Sequence, residues 1–134
     1  MIIEIITSEL DFHLIEKVRE LRIKSNLSQV TLSQKIGVSE GYIGNIENHK
    51  LRTKLNIRML ARIAVGLELK SYMEFFPDKI YTNDLVKIKI ELLDSYRKRG
   101  GDLSEKINRF KNITIIPLSE EEIAAYDKNK WTKK

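Results

Sequence analysis

The chain has 134 residues, with 24 Lys and Arg against 19 Asp and Glu, and no cysteine. That length fits one domain, or a small domain with an appendage, and the lack of thiols excludes a disulfide framework and a thiolate metal site while suiting a reducing cytoplasm. The formal charge of +5 is spread along the chain and is compatible with an anionic partner.

The opening MIIEIITSEL is apolar, but Glu4 interrupts it and no basic region precedes it. It therefore reads as neither a signal peptide nor a membrane span. Met1 to Thr7 are either a short strand or a flexible, lightly docked arm. Asp11 is placed to cap a helix starting at Phe12, with Leu14, Ile15, Val18, Leu21 and Arg22 on one side and Lys17, Glu20 and Lys24 on the other. Asn26 suits a left-handed stop.

The next stretch, LSQVTLSQKIGVSEGYIGNIEN from Leu27 to Asn48, spells two short helices around a tight turn. Ser28 can cap the first, whose buried side carries Leu32 and Ile36 with Val30 in support. Gly37 stands where a left-handed residue closes a helix, Val38 plugs the corner, and Ser39 can cap a second helix that buries Ile43 and Ile46. Two helices joined by a Gly-containing turn form a helix-turn-helix pattern. The following HKLRTK is a basic loop, in which His49 reads as a loop residue; with His13 distant in sequence, no metal pair is expected.

Asn56 opens a further helix, with Ile57, Leu60, Ile63, Ala64 and Leu67 on its buried side and Met59 as core filler. Ser71 caps a short helix ended by Pro77, in which Tyr72, Phe75 and Phe76 are available either to close the core or to contact a second copy. Beyond Pro77 the pattern changes. Val86, Ile88, Ile90 and Leu92 alternate with polar residues and predict a strand; a helix through Leu85, Ile88, Leu92 and Tyr96 would leave Ile90 exposed. RKRGGDLSEK is a basic connector, residues 113–116 predict a second strand ended by Pro117, and Ser119 caps an acidic-fronted helix before a loose basic tail, KNKWTKK.

The run LSQ-x-x-L-x-x-K-I-G-V-S-x-x-Y-I-x-x-I-E-N resembles the helix-turn-helix family of phage repressors, Cro proteins and XRE-type regulators. Gln29, Leu32, Gly37, Val38, Ile43, Ile46 and Glu47 carry the likeness, which extends from Phe12 to Pro77. It implies a five-helix repressor-like DNA-binding domain (12–77); with the N-terminal arm (1–11) and, outside the match, the small α+β appendage of a β-hairpin plus helix read from the residues (78–134), the fold is expected to be mainly α. It also implies a recognition helix presenting Glu40, Gly41, Gly44 and Asn45 to base edges. Asn45 can donate to and accept from adenine at once, and Glu40 can accept from cytosine N4. Gln29, Ser39, Tyr42, Asn48, Lys50, Arg52 and Lys54 are the implied phosphate ligands, Gln29 standing at a helix N-terminus. Arg22 and Glu47 are the implied structural ion pair between the first and third helices.

The expected function is accordingly a non-enzymatic, cytoplasmic, sequence-specific regulator of transcription that binds double-stranded DNA as a homodimer and represses. No cofactor, metal or membrane is expected. An antitoxin-like protein, whose C-terminal part binds a protein partner, is the alternative. No phosphate-cradling glycine loop or nucleophile triad supports an enzyme.

Overall fold

The computed structural model describes residues 2–51, 53–93 and 105–132. Arg52, the RKRGG stretch and the last two residues lie outside them, as does Tyr96 of the alternative helical reading.

The N-terminal segment is a full strand, β1 (Ile2–Ser8), running directly into helix α1 (Glu9–Lys24). The expected start of α1 is thereby corrected. Ser8, not Asp11, is the cap, its hydroxyl accepting the Asp11 amide at 3.2 Å. Asp11 instead joins Glu9 in the first turn, where carboxylates complement the helix dipole.

Helices α2 (Gln29–Lys35), α3 (Tyr42–Glu47) and α4 (Ile57–Gly66) follow, then a 3-10 turn at Tyr72–Phe75 in place of a fifth α-helix. Local chemistry sets most of these ends. Asn26 (φ 56°) and Gly37 (φ 75°) take the left-handed conformation that turns the chain. Ser28 and Asn56 cap α2 and α4, accepting the amides of Thr31 and Met59. Ser71 and Glu74 form a capping box on the 3-10 turn. At the far end of α2 the Arg62 guanidinium of α4 donates to the Ile36 and Gly37 carbonyls, filling acceptors the helix leaves open.

Leu14, Val18, Leu32, Ile36, Ile43, Leu60, Ile63, Ala64, Leu67 and Phe75 make the helical core. Two expected members are not there: Val30 is 43% and Ile57 88% exposed. Both occupy first-turn positions just past a capping residue, where the side chain projects beyond the packed face. Of the three C-terminal aromatics, Phe75 is buried and Phe76 packs on the core, whereas Tyr72 is exposed.

The C-terminal region adds β2 (Leu85–Leu92), β3 (Phe110–Pro117) and α5 (Glu120–Thr132). Val86, Ile88 and Ile90 are buried, as alternation predicts for a strand with one covered side. The expected two-stranded hairpin is instead a three-stranded antiparallel sheet of order β1-β2-β3, because β1 pairs with β2 from Ile2↔Glu91 to Ser8↔Leu85. A lone hairpin is marginal in water, and the third strand supplies the missing pairing. Phe12 of α1 joins Val86, Ile88 and Ile90 in a second core, with Ile3, Ile5, Leu92 and Phe110 against it. Ser119 caps α5 through the Glu122 amide, and the helix runs to Thr132, so KNKW is helical rather than a loose tail. Among the described residues, no helix is long and apolar enough to cross a membrane.

Candidate nucleic-acid interface

Helix α3 is only six residues long, and its placement depends on α2. Ser39 does not cap it by side chain: the Tyr42 amide donates to the Ser39 carbonyl at 3.0 Å. The side-chain acceptor comes from Ser33, buried within α2. Its hydroxyl donates to the Gln29 carbonyl (2.9 Å) and accepts the Ile43 amide (3.2 Å), satisfying a first-turn donor of α3. One serine thus caps the start of α3 and sets its distance from α2. Nothing in the sequence marked this role, because a serine inside a helix usually just bonds back four residues.

The expected reading positions separate on this frame. Asn45 is exposed on α3. Glu40 and Gly41 are exposed but precede the helix, and Glu40 accepts a bond from Gln34 at 3.1 Å. Gly41 has open space beside it: an added Cβ would meet nothing within 4 Å. Gly44 is a correction. It is half-buried, and a Cβ there would lie 3.0 Å from Gln29 Oε1, so it faces the start of α2 rather than open groove space. The reason is close approach: the missing side chain is what lets Gln29 lie across α3.

Gln29 itself is engaged. Its Nε2 donates to Glu47 Oε1 at 3.0 Å, so this expected phosphate ligand is part of the internal polar frame. Tyr42 packs against the helical core, and burial raises the pKa of its hydroxyl against the opposing pull of Arg62. Asn48 is exposed, its side-chain oxygen accepting the Lys50 amide at 3.0 Å to shape the basic loop. Lys50 and Lys54 are exposed at the loop's two ends.

Beneath this surface lies a buried ionic cluster. Arg22 is fully buried and holds Glu47, also fully buried, through two bonds of 2.7 and 2.8 Å. The paired fork geometry is that implied by the resemblance. Two further bonds were not legible. Arg22 donates to Glu105 Oε1 and Oε2 at 2.6 and 2.7 Å, reaching 83 positions along the chain. Burial would lower the Arg22 pKa, but its bonds to Glu47 and Glu105 raise it well above the usual arginine value.

Residues 105–109 lie along α1 as a strap. Arg19, also buried, donates to the carbonyls of Ile107 (2.6 Å) and Lys106 (2.9 Å). Arg109 Nη2 stands 2.5 Å from Glu16 and 3.0 Å from His49. His49 is therefore no ordinary loop residue. It stacks on Phe12 at 4.9 Å, sits 2.7 Å from Glu16, and ties the end of α3 to the sheet's core. Burial pushes the Glu16 carboxyl up, but His49 and Arg109 more than offset this and hold it below its ordinary range. Among the described residues, no group of His, Asp and Glu could hold a metal ion.

Residues 18–72 match the family model described as Helix-turn-helix. Comparison with curated proteins and with solved structures finds no match.

Proposed function

We propose, from the helix-turn-helix match over residues 18–72 and the likeness to XRE-type regulators, that the chain is a sequence-specific repressor acting as a homodimer on double-stranded DNA. The observation that supports this most is the surface at and around α3: an exposed carboxamide at Asn45 on the helix, an uncrowded backbone at Gly41 just before it and exposed lysines at positions 50 and 54 after it, with Glu47 at the helix's end held in the buried pair with Arg22.

A helix in the major groove reads sequence through side chains that match donor and acceptor patterns on base edges, and an amide does this bidentately at adenine. Asn45 takes that role. Gly41, with nothing beside it, lets the main chain approach DNA closely. Glu40, held by Gln34, selects against phosphate and for a cytosine amine. Lys50 and Lys54, with Ser39, Asn48 and, by its place in the sequence, Arg52, bind phosphates and supply affinity without sequence preference.

One short reader contacts few base pairs. Two copies on half-sites about one helical turn apart supply the affinity that a single α3 lacks. Binding over a promoter in the cytoplasm then excludes polymerase. Selection of bound fragments from a random DNA pool tests the reading. A palindromic motif with half-sites about 10 base pairs apart is expected. Recovery of no motif, with equal affinity for all sequences, would overturn it.

A further inference from the structure

The sheet ends in an open edge. Among the described residues, in the order β1-β2-β3, strand β3 has a hydrogen-bonded neighbour only in β2. The Leu118 amide donates to the Leu85 carbonyl at 3.1 Å, and the register pairs Ile116 with Lys87 and Thr114 with Lys89. Main-chain groups alternate in direction along a strand, so those of Ile116 and Thr114 point at β2 and those of Ile113 and Ile115 point outward.

The side chains tell the same story. Ile3, Ile90 and Ile113 form one cross-sheet row and Ile5, Ile88 and Ile115 another. Ile88 and Ile90 are fully buried, whereas Ile113 and Ile115 are 40% and 41% exposed. Edge strands are ordinarily blunted by a central charge, a bulge or a proline. The single charge of β3, Lys111, is the extra residue of a bulge at its start, between Phe110 opposite Leu92 and Asn112 opposite Glu91, and Pro117 is its last residue, so Ile113–Ile116 between them carries no charge, bulge or proline.

We propose that β3 pairs antiparallel with β3 of a second copy about a two-fold axis at Thr114, making one six-stranded sheet across the dimer. The occupant is a second copy because this strand complements itself. With Thr114 opposite Thr114, Ile113 of each copy faces Ile115 of the other, both on the core side, and they exchange outward main-chain bonds. The pairing stops at Pro117, which has no N–H to give, and at the bulge at Lys111. Lys111, 4.0 Å from Glu91 of its own chain, lies at the end of the interface where the partner's β3 runs out toward Glu120, Glu121 and Glu122, so opposite charges share each end. A parallel arrangement would bring the like charges together instead. The interface extends the proposed dimer, yet its test involves no DNA and is independent of what α3 reads.

Because the chain lacks cysteine, Thr114→Cys is a unique reporter. Position 114 lies between two hydrogen-bonded pairs, where Cα atoms of opposed residues stand about 4.5 Å apart, within reach of a disulfide. Mild oxidation of T114C is expected to give a covalent dimer as the main product, while Y72C, on the exposed 3-10 turn, stays monomeric. By sedimentation equilibrium the wild-type chain is expected at twice the monomer mass. Ile115→Pro, which removes an outward N–H and spares the β2–β3 ladder, is expected at monomer mass with an unchanged far-ultraviolet spectrum. Lys111→Glu provides a second variant and should raise the dimer dissociation constant about tenfold. A wild-type chain at monomer mass, or cross-linking at Y72C and not at T114C, would overturn the proposal.

Discussion

Replacing Arg22 by Met tests the buried frame beneath α3. In the native fold its guanidinium makes two bonds to Glu47 and two to Glu105, with a fifth to the Leu27 carbonyl at 2.7 Å. Glu47 is fully buried and Glu105 is 34% exposed. Water can solvate Glu105 after the substitution, so most of the loss arises at Glu47. That carboxylate keeps Gln29 at 3.0 Å and Arg19 at 3.8 Å, which offset part of its desolvation but do not restore a fork. Leaving one partner of such a pair buried and unmatched costs about 3–5 kcal/mol. For a chain of this length each kcal/mol moves the melting temperature by about 4 °C, so a drop of roughly 12–20 °C is expected. Thermal unfolding followed by circular dichroism measures it. The double variant R22M/E47L removes the orphaned charge and should recover part of the loss, since an apolar pair of similar volume is close to neutral. Below its melting temperature R22M should bind DNA as the wild type does. A melting temperature within about 3 °C of wild type, or a double variant as unstable as the sum of the singles, would refute the reasoning.

Other outcomes follow from the same geometry. Asn45→Ala should weaken binding to the selected DNA by about 1–3 kcal/mol and relax preference at one base pair; equal losses on selected and random DNA, by fluorescence anisotropy, would show that it reads no base. Replacing Lys50, Arg52 and Lys54 together by Ala should flatten the slope of log K against log salt by about 2–3 per subunit, with melting temperature unchanged; an unaltered slope would place the phosphate contacts elsewhere. Glu16 and Glu105 both titrate below the ordinary carboxylate value of 4.5: burial opposes this in each, and His49 with Arg109, or Arg22, outweighs it. Since the unfolded chain binds those protons first, their stabilisation is complete above about pH 4.5 and is lost as pH falls through the lower folded values, so E16Q and E105Q should each show a shallower acid loss of melting temperature than wild type. Ser33→Ala should lower stability by about 1–3 kcal/mol by leaving the buried Ile43 amide unmatched, whereas Ser39→Ala should change it by less than about 0.5 kcal/mol, as measured by urea titration.

What the sequence by itself determined is local. The caps at Ser28, Asn56, Ser71 and Ser119, and the left-handed turns at Asn26 and Gly37, each depend on groups within a few residues. The alternation of Val86, Ile88 and Ile90 likewise named a strand with one buried side, because side-chain direction along a strand has period two. The Arg22–Glu47 pair became legible only through resemblance, since nothing local links positions 25 residues apart. Tertiary structure decided the rest. The opening segment is a strand because β2 offers it an edge, and that pairing moves the helix cap from Asp11 to Ser8. Gly44 turns toward Gln29, and Ser33 caps the start of α3, because α2 lies across it at close range. Glu105 and Arg109 join the frame from 83 and 93 positions away, through contacts that no spacing rule encodes. Their partners, Arg22 and Glu16, face inward on α1, and charges so placed are held only where the rest of the chain brings an opposite charge to meet them.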